Sequence, residues 1–301
     1  MALPETVAVV GAGTMGSGIG LSFALAGCEV RMTARRESSL DVARKRIVGG
    51  RVTFTTNLED AVAGAGLVVE TISEDLEAKR DVLARAEAVA PDDAVLATDT
   101  SSLSVDALAE VLQRPERFAG FHWFNPPELV ELVEVVAGAR TDRATVEALL
   151  GWAKALGKVA IECRDVPGFV VNRLQYALVR EAWALVAAGV STYAEIDAAI
   201  RASLGPRWAA IGPFETFDLA GLEVHLAVVE QLFPELDTSS EPPAALRELV
   251  AEGSLGVKSG RGIHGDYDDE RAAALAERRQ EVAAELARLR RRLTPGNEAV
   301  E

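Results

Sequence analysis

The stretch Val7-Ala8-Val9-Val10-Gly11-Ala12-Gly13-Thr14-Met15-Gly16 decides the fold of this chain. Its apolar run predicts a buried strand, and the helical pattern that begins near Ser17 places a GxGxxG loop between that strand and a helix. In this setting Gly11 permits a tight turn, Gly13 lets the backbone approach a pyrophosphate, and Gly16 allows close helix packing. The helix N-terminus adds N–H donors and the positive end of its dipole. The sequence therefore predicts a dinucleotide-binding loop made of Gly11, Ala12, Gly13, Thr14, Met15 and Gly16.

Short apolar runs alternate with helical patterns through the first half of the chain, at residues 7–10, 30–33, 67–69, 94–97 and 118–121. This rhythm predicts a parallel sheet with crossover helices. From residue 166 the apolar period changes to about 3.6, and Asp165-Val166-Pro167-Gly168 marks the break. We predict an α/β protein with a Rossmann doubly wound sheet in residues 1–165. An all-helical C-terminal domain follows in residues 166–301, which we expect to hold the substrate, to form the dimer contact and to end in a charged helix.

The composition excludes several classes of partner. The net charge of −15 argues against nucleic acid, because nucleic-acid binders concentrate Lys and Arg on one face. Cys28 and Cys163 lie far apart without CxxC spacing, so no metal site is expected. No apolar stretch approaches the length that spans a membrane, and the first residues lack a signal pattern. We expect a cytoplasmic protein that binds a small-molecule substrate.

The end of the second predicted strand bears on the choice of cofactor. NAD-binding sites usually place an acidic residue there, on the ribose 2′-hydroxyl. This chain has Ala34-Arg35-Arg36-Glu37-Ser38-Ser39 instead. Guanidinium groups match the geometry of a 2′-phosphate, so Arg35 and Arg36 favour NADP over NAD. The alternative is that both arginines are solvated loop charges.

His122 is the first residue to examine for chemistry. It follows an aromatic-rich strand, in Gly120-Phe121-His122-Trp123-Phe124-Asn125, and Glu134 comes twelve residues later in a second apolar run. An imidazole and a carboxylate on neighbouring strands can form an acid/base pair, because the carboxylate fixes the tautomer of the ring and raises its basicity. A histidine in such a strand is otherwise more often a packed core residue.

Several motifs together resemble the L-3-hydroxyacyl-CoA dehydrogenase family. Thr100-Ser101-Ser102-Leu103, the His122 segment, Glu134 and Pro167-Gly168-Phe169-Val170-Val171-Asn172-Arg173 occur in the order of that family's signatures. Gly212-Pro213-Phe214 and Gly256-Val257-Lys258-Ser259-Gly260-Arg261-Gly262 are similar to its C-terminal markers. The resemblance extends from Val7 to about Tyr267.

The resemblance implies roles for individual residues. His122 would be the general base and Glu134 would orient and charge-stabilise its ring. Ser101 would hydrogen-bond the substrate oxygen and Asn172 the reacting carbonyl, as neutral donors to a developing alkoxide. Contacts to the nicotinamide ribose would come from Glu74, Lys79, Ser101 and Asn125. For Glu74 and Lys79 the alternative is an exposed ion pair at a helix start.

This chain departs from the family after the second strand. There the family carries a pair of inserted basic helices that helps to hold the nucleotide part of coenzyme A, whereas residues 37–50 leave room for one short helix. We therefore expect an NAD(P)-dependent dehydrogenase of a 3-hydroxy acid or a short 3-hydroxyacyl thioester. The first alternative is a dehydrogenase of a free hydroxy acid or of an aromatic alcohol or aldehyde acid, which acts without coenzyme A. The second is a non-catalytic protein, either crystallin-like or dinucleotide-sensing.

Association of two copies is also expected. The helical domain has more apolar faces than one small core needs, which favours a homodimer. Residues 268–293 carry Leu275, Val282, Leu286, Leu289 and Leu293 along one narrow seam. That helix could equally lie on its own subunit.

Overall fold

The computed structural model describes residues 1–293 and divides them into two compact units, the first Met1–Arg173 and the second starting at Leu174. The first unit therefore includes the Pro167–Arg173 segment that the sequence assigned to the second domain. Among residues 1–293 no helix is both long and apolar enough to cross a membrane.

An eight-stranded sheet forms the centre of the first unit, in the order β3-β2-β1-β4-β5-β6-β7-β8. Its strands are β1 (Thr6–Val10), β2 (Glu29–Thr33), β3 (Arg51–Thr55), β4 (Leu67–Glu70), β5 (Val95–Thr98), β6 (Phe118–Trp123), β7 (Leu132–Ala137) and β8 (Val159–Arg164). The helices of this unit are α1 (Thr14–Leu25), α2 (Glu37–Arg46), α3 (Leu58–Val62), α4 (Leu76–Glu87), α5 (Val105–Ala109) and α6 (Arg143–Ala155). The predicted doubly wound α/β fold is confirmed, and the five predicted strands are β1, β2, β4, β5 and β6.

Alternation along each strand divides the core between the two faces of the sheet. Val7 and Val9 of β1 pack with Ile19 and Phe23 of α1 on one face. Ala8 and Val10 of the same strand pack with Leu83 of α4 on the other face. All these side chains are at most 4% exposed. Both faces are thus covered by helices, as a parallel sheet requires.

One strand pair departs from the predicted parallel arrangement. The pair β6 and β7 is antiparallel, with His122 opposite Glu134, whereas the other neighbours in the sheet are parallel. The connection between them, residues 124–131, contains no helix. A parallel crossover needs about a dozen residues or more, so this connection can only return the chain antiparallel. The turn therefore sets the register that brings the two predicted catalytic residues together.

The second unit is helical, as predicted. It contains α7 (Val171–Ala187), which starts in the last residues of the first unit, and then α8 (Tyr193–Ala199), α9 (Gly205–Ala210), α10 (Pro213–Ala220), α11 (Leu222–Leu232), α12 (Ala244–Ala251) and α13 (Asp269–Leu293). A two-stranded ribbon of β9 (Arg261–Gly262) and β10 (Gly265–Asp266) precedes α13. A π-helical turn at Ile200–Leu204 continues α8.

Candidate active site

The glycine loop has the shape that a dinucleotide requires. Gly11 has a positive φ of 123°, and a Cβ on Gly16 would lie 2.0 Å from the carbonyl oxygen of Gly11. A Cβ on Gly13, in contrast, would meet no atom within 4 Å, so this residue faces open space. Helix α1 begins at Thr14, earlier than the predicted start near Ser17, with Gly13 as its N-cap. The loop fits a pyrophosphate approaching Gly13 and the free N–H groups of the first turn.

Two arginines follow β2 with side chains that have no partner among residues 1–293. Arg35 and Arg36 are exposed, and among residues 1–293 neither side chain makes a hydrogen bond or an ion pair. Arg44, further along α2, is bound to Glu37 and Asp41 at 2.7 and 2.8 Å. The two unpaired guanidinium groups therefore stay available for an anion.

A third arginine approaches the glycine loop from α2. Arg46 donates to the Thr14 hydroxyl at 2.9 Å, at the N-terminus of α1. This contact was not predicted from the sequence, because no sequence spacing relates residue 46 to residue 14.

Lys79 is buried in an ion pair at the carboxyl end of β4. Its ammonium lies 2.8 Å from Oε1 of Glu70, and the two side chains are 1% and 0% exposed. It also donates to the Ile72 carbonyl at 3.2 Å and lies 3.5 Å from Glu74. The alternative of an exposed pair at a helix start is thus wrong for Lys79. Sequence reasoning missed Glu70, although an acidic residue that ends an apolar strand was a visible signal.

Glu74 organises the residues that follow β5. Its Oε1 accepts from the Thr100 hydroxyl at 2.6 Å and from the backbone N–H groups of Ser101 and Ser102, each at 2.9 Å. Burial would raise the pKa of Glu74, but these hydrogen bonds and the charge of Lys79 outweigh it and lower the pKa to about 2. Glu74 therefore stays ionised and fixes the loop that carries Ser101.

His122 and Glu134 form a buried hydrogen-bonded pair. Nδ1 of His122 lies 2.8 Å from Oε2 of Glu134, and the side chains are 5% and 0% exposed. The other carboxylate oxygen accepts from the backbone N–H groups of Val170 and Val171 at 3.1 and 2.9 Å. Burial would raise the pKa of Glu134, but the bonds from His122 and from the start of α7 outweigh it and lower the pKa.

Because Glu134 occupies Nδ1, the ring nitrogen left for a substrate is Nε2. Among residues 1–293 Nε2 of His122 has no hydrogen-bond partner, and the ring packs 4.5 Å from Phe124 and 5.5 Å from Phe169 between centroids. Phe169 is buried with a positive φ of 48°, unusual for a bulky residue. Backbone strain of this kind is typical of positions that surrounding structure holds for function.

The remaining predicted residues lie near this pair with weaker contacts. Asn172 donates from Nδ2 to the Ser101 carbonyl at 3.3 Å, which brings the two predicted oxygen-binding residues together. The exposed Ser101 hydroxyl donates a long hydrogen bond of 3.5 Å to Glu74, which a ligand oxygen could replace. Asn125 is exposed just beyond the end of β6.

Two titratable residues that were not predicted from the sequence, Asp99 and Lys158, form hydrogen bonds at the end of β6. Asp99 accepts the Trp123 N–H at 2.8 Å, and desolvation raises its pKa well above the ordinary value. Lys158 lies 5.0 Å from the Trp123 ring and donates to the carbonyls of Pro127 and Val130 at 2.6 and 2.9 Å. Burial lowers the pKa of Lys158. Since both act through backbone groups, no residue pattern could reveal them.

The class of protein follows from these two features taken together. The first feature is the mostly parallel sheet with a glycine loop shaped for a dinucleotide. The second is His122, held by the buried Glu134 carboxylate near the end of β6. A nicotinamide-dependent dehydrogenase combines these two features.

Comparison with known proteins gives the family. Residues 6–50 and 48–166 match the 3-hydroxyacyl-CoA dehydrogenase NAD binding domain, and residues 168–265 match the C-terminal domain of the same enzymes. The chain belongs to the 3-hydroxyacyl-CoA dehydrogenase family. The first match is divided at residues 48–50, where the sequence analysis expected the family's insertion to be missing.

Among the similar proteins is 5-formyl-3-hydroxy-2-methylpyridine 4-carboxylate 5-dehydrogenase of Mesorhizobium japonicum, 32% identical over 93% of this chain and 96% of that protein. A solved structure of an enzyme of this name, described as an NAD⁺-dependent dismutase, has a TM-score of 0.90, 31% identity and coverage of 98% of this chain and 100% of that one. The (S)-3-hydroxybutyryl-CoA dehydrogenase structure from Ralstonia eutropha has a TM-score of 0.71, 32% identity and coverage of 88% and 100%.

Replacing His122 with glutamine should abolish the base without removing the cofactor site. We expect kcat to fall about 10²–10⁴-fold, the usual contribution of a general base, while the dissociation constant of the reduced cofactor stays unchanged. Steady-state kinetics and nicotinamide fluorescence titration measure the two quantities. Turnover near the wild-type rate would contradict the assignment, and circular dichroism verifies the fold of the variant.

Glu74 should make stability depend on pH in the acid range. Its folded-state pKa of about 2 lies below the ordinary 4.5, so the folded chain binds fewer protons between these values. Its stabilising effect is therefore complete above about pH 4.5 and is lost as the pH falls towards 2. Urea unfolding of the wild type and Glu74→Gln should give free-energy curves that converge over this range.

The matched control for that measurement is Glu77→Gln, on the same stretch of chain but with a 79% exposed side chain. Its replacement gives the effect of removing a surface carboxylate together with one exposed ion pair, to Arg80. Parallel curves for wild type and Glu74→Gln, with no convergence beyond that control, would disprove the role of Glu74.

Proposed function

We propose that this protein is an NAD(P)-dependent oxidoreductase that interconverts a 3-hydroxy acid, or a short 3-hydroxyacyl thioester, and its 3-oxo form. The observation that carries the proposal is the buried pair of His122 Nδ1 and Glu134 Oε2 at 2.8 Å, beside Ser101 and Asn172. Bound nicotinamide would supply the hydride acceptor or donor. The residues of this chain supply the proton transfer and the orientation of the substrate.

His122 acts as the base in the oxidation direction. Its Nε2 removes the hydroxyl proton of the substrate while hydride leaves the same carbon for the cofactor, so the alcohol becomes a carbonyl. The imidazolium that results lies against the ionised Glu134, which stabilises its charge. In reduction the same imidazolium returns the proton to the developing alkoxide.

Neutral donors hold the reacting oxygen. The Ser101 hydroxyl and the Asn172 amide belong to neighbouring segments joined by their own hydrogen bond. Donors of this kind stabilise an oxygen more strongly as it gains negative charge, so they favour the transition state. Glu74 fixes the Ser101 segment through three donors and, with Asn125, would contact the nicotinamide ribose. Lys79 was predicted to make the same contact, but its side chain is 1% exposed, so it would act through Glu74 instead.

A second candidate is the dehydrogenation of a free aromatic aldehyde acid or alcohol. It is favoured by the Mesorhizobium japonicum enzyme and the structure of the same name, which this chain matches over nearly its whole length. Helix α2 has only ten residues before β3 begins at Arg51, which leaves no long basic helix for coenzyme A. For an aldehyde, His122 would deprotonate the hydrate, and hydride loss would give the acid.

The cofactor is proposed to be NADP in preference to NAD. Family membership supports NAD binding in general. The preference is supported by Arg35 and Arg36, which are exposed at the end of β2 and, in residues 1–293, have unpaired side chains. A 2′-phosphate would satisfy them, whereas NADH would not.

We further propose a cytoplasmic homodimer. Helices α7 to α12 contain no buried residue, and large apolar side chains such as Phe214 and Leu219 are 83% and 80% exposed. Apolar surface on this scale is typical of association with a second copy. The seam of α13 contributes too, since Val282, Leu286 and Leu289 are 41–53% exposed.

Three substrates test the substrate class under matched conditions. Oxidation of the reduced cofactor is measured with acetoacetyl-CoA and with free acetoacetate, and reduction of the oxidised cofactor is measured with an aromatic aldehyde acid. The proposal predicts turnover with the thioester or with acetoacetate, lost in His122→Gln. Turnover with the aldehyde acid alone, recorded in the direction of cofactor reduction, would replace the first proposal by the second. Cofactor binding without turnover of any substrate would instead identify a dinucleotide-sensing or crystallin-like protein.

The cofactor preference is tested by binding. The wild type should bind NADPH more tightly than NADH, and the double variant Arg35→Gln/Arg36→Gln should weaken NADPH binding by about tenfold or more, since a charge-assisted hydrogen bond contributes roughly 1.5–3 kcal/mol. Affinity for NADH should not change. Arg44→Gln is the matched control, because Arg44 lies on α2, directly after Arg35 and Arg36 in the chain, but is already paired. Equal dissociation constants for the two cofactors in the wild type would refute the preference.

A further inference from the structure

The second unit contains a cavity of about 530 Å³ that the dehydrogenase reaction does not use. It lies between α8, the segment around the β9–β10 ribbon and the first turns of α13. We refer to it as the arginine pocket, and its polar lining residues are Asp197, Arg201, His264, Tyr267, Arg271 and Arg278.

Positive charge exceeds negative charge in this pocket. Three guanidinium groups line it against one carboxylate, in a chain whose net charge is −15. The carboxylate of Asp197 is shared, because it lies 3.1 Å from His264 Nε2 and 3.4 Å from Arg201. One shared carboxylate cannot compensate three arginines, so the pocket keeps an excess of positive charge.

Two of the arginines have no carboxylate partner of their own. Arg271 stacks 4.6 Å above the Tyr267 ring and donates to the carbonyls of Asp266 and His264. These contacts fix the guanidinium but leave its charge uncompensated. Arg278 lies two turns further along the same face of α13 and, in the part of the chain that the structure describes, has no hydrogen-bond or ion-pair partner.

Membership of the family does not explain the arginine pocket. The match to the family's C-terminal domain ends at residue 265. Tyr267, Arg271 and Arg278 come after that point, on the segment that leads into α13. The pocket is therefore built from a shared part, α8, and from a part that the family pattern does not include.

We infer that the arginine pocket binds a small dianion, either a phosphate group or a dicarboxylate. The planar fork of a guanidinium accepts two oxygens of either group, and several forks around one cavity select charge and geometry together. The apolar part of the lining, Ala194, Ala274 and Leu275, leaves space for a short carbon skeleton. The inference is independent of the reaction at His122.

Calorimetric titration tests this site with inorganic phosphate and with succinate as probes. Saturating NADPH is present throughout, so that the glycine loop and the proposed 2′-phosphate contacts at Arg35 and Arg36 are occupied, and sodium chloride keeps the ionic strength constant. We expect saturable binding at one site per chain for at least one probe. The tighter probe indicates whether the natural ligand carries phosphate or carboxylates. Heats that do not saturate, or that are absent, would overturn the inference.

Variants locate the binding. Arg201→Gln/Arg278→Gln should weaken it by about tenfold or more, in line with the loss of two charge-assisted contacts. Arg278→Gln alone should weaken it by about threefold or more, and removes no described partner whose loss could unfold the unit. The control Arg247→Gln removes an exposed arginine of the same unit that pairs with Glu241 outside the pocket. Unchanged binding in the first two variants, or equal weakening in the control, would refute the site.

Discussion

The site of this protein depends on one buried carboxylate, that of Glu134. An ionised group without exposure to water is costly unless each of its oxygens has a donor, and here His122 serves one oxygen and the N–H groups of Val170 and Val171 serve the other. Removing one partner of such a group typically costs about 3–5 kcal/mol. The antiparallel register of β6 and β7 and the turn into α7 together supply the donors to Glu134 and place His122 beside it.

A second buried charged pair lies at the carboxyl end of β4 and has a different role. Lys79 and Glu70 form an ion pair whose side chains are at most 1% exposed. The Lys79 ammonium also lies 3.5 Å from the Glu74 carboxylate. Glu74 in turn holds the backbone of Ser101 and Ser102. A chain of contacts thus connects the buried Lys79–Glu70 pair, through Glu74, to the backbone of Ser101. The orientation of this proposed substrate-binding serine therefore depends on charged groups buried at the end of β4.

The sequence predicted the local features of this arrangement well, because they depend on periodicity and on the glycine loop. The strands at residues 7–10 and 118–121, the helical second unit and the neighbouring positions of His122 and Glu134 all follow from such patterns. It did not predict the antiparallel pair, which follows from the short connection after β6. Nor did it predict Lys158 and Asp99, whose partners are backbone groups of distant segments. Tertiary contacts of that kind leave no periodic trace.

Chemistry and substrate choice are separable in this fold. The proposed catalytic residues lie on β6 and β7 and in the segments after β5 and β8. Their positions are set by the register of the sheet, so they do not depend on the length of the segment after β2. The resemblance to the family implies that substrate choice depends partly on the segment after β2, and here the helix of that segment is the ten-residue α2. Binding energy from the remote part of a coenzyme A substrate would be lost with it, and such energy normally contributes to catalysis as well as to affinity. A compact acid needs no remote contact of that kind. Under the proposed function, the shortened α2 would favour free acids, and the proposed proton transfer at His122 would stay the same.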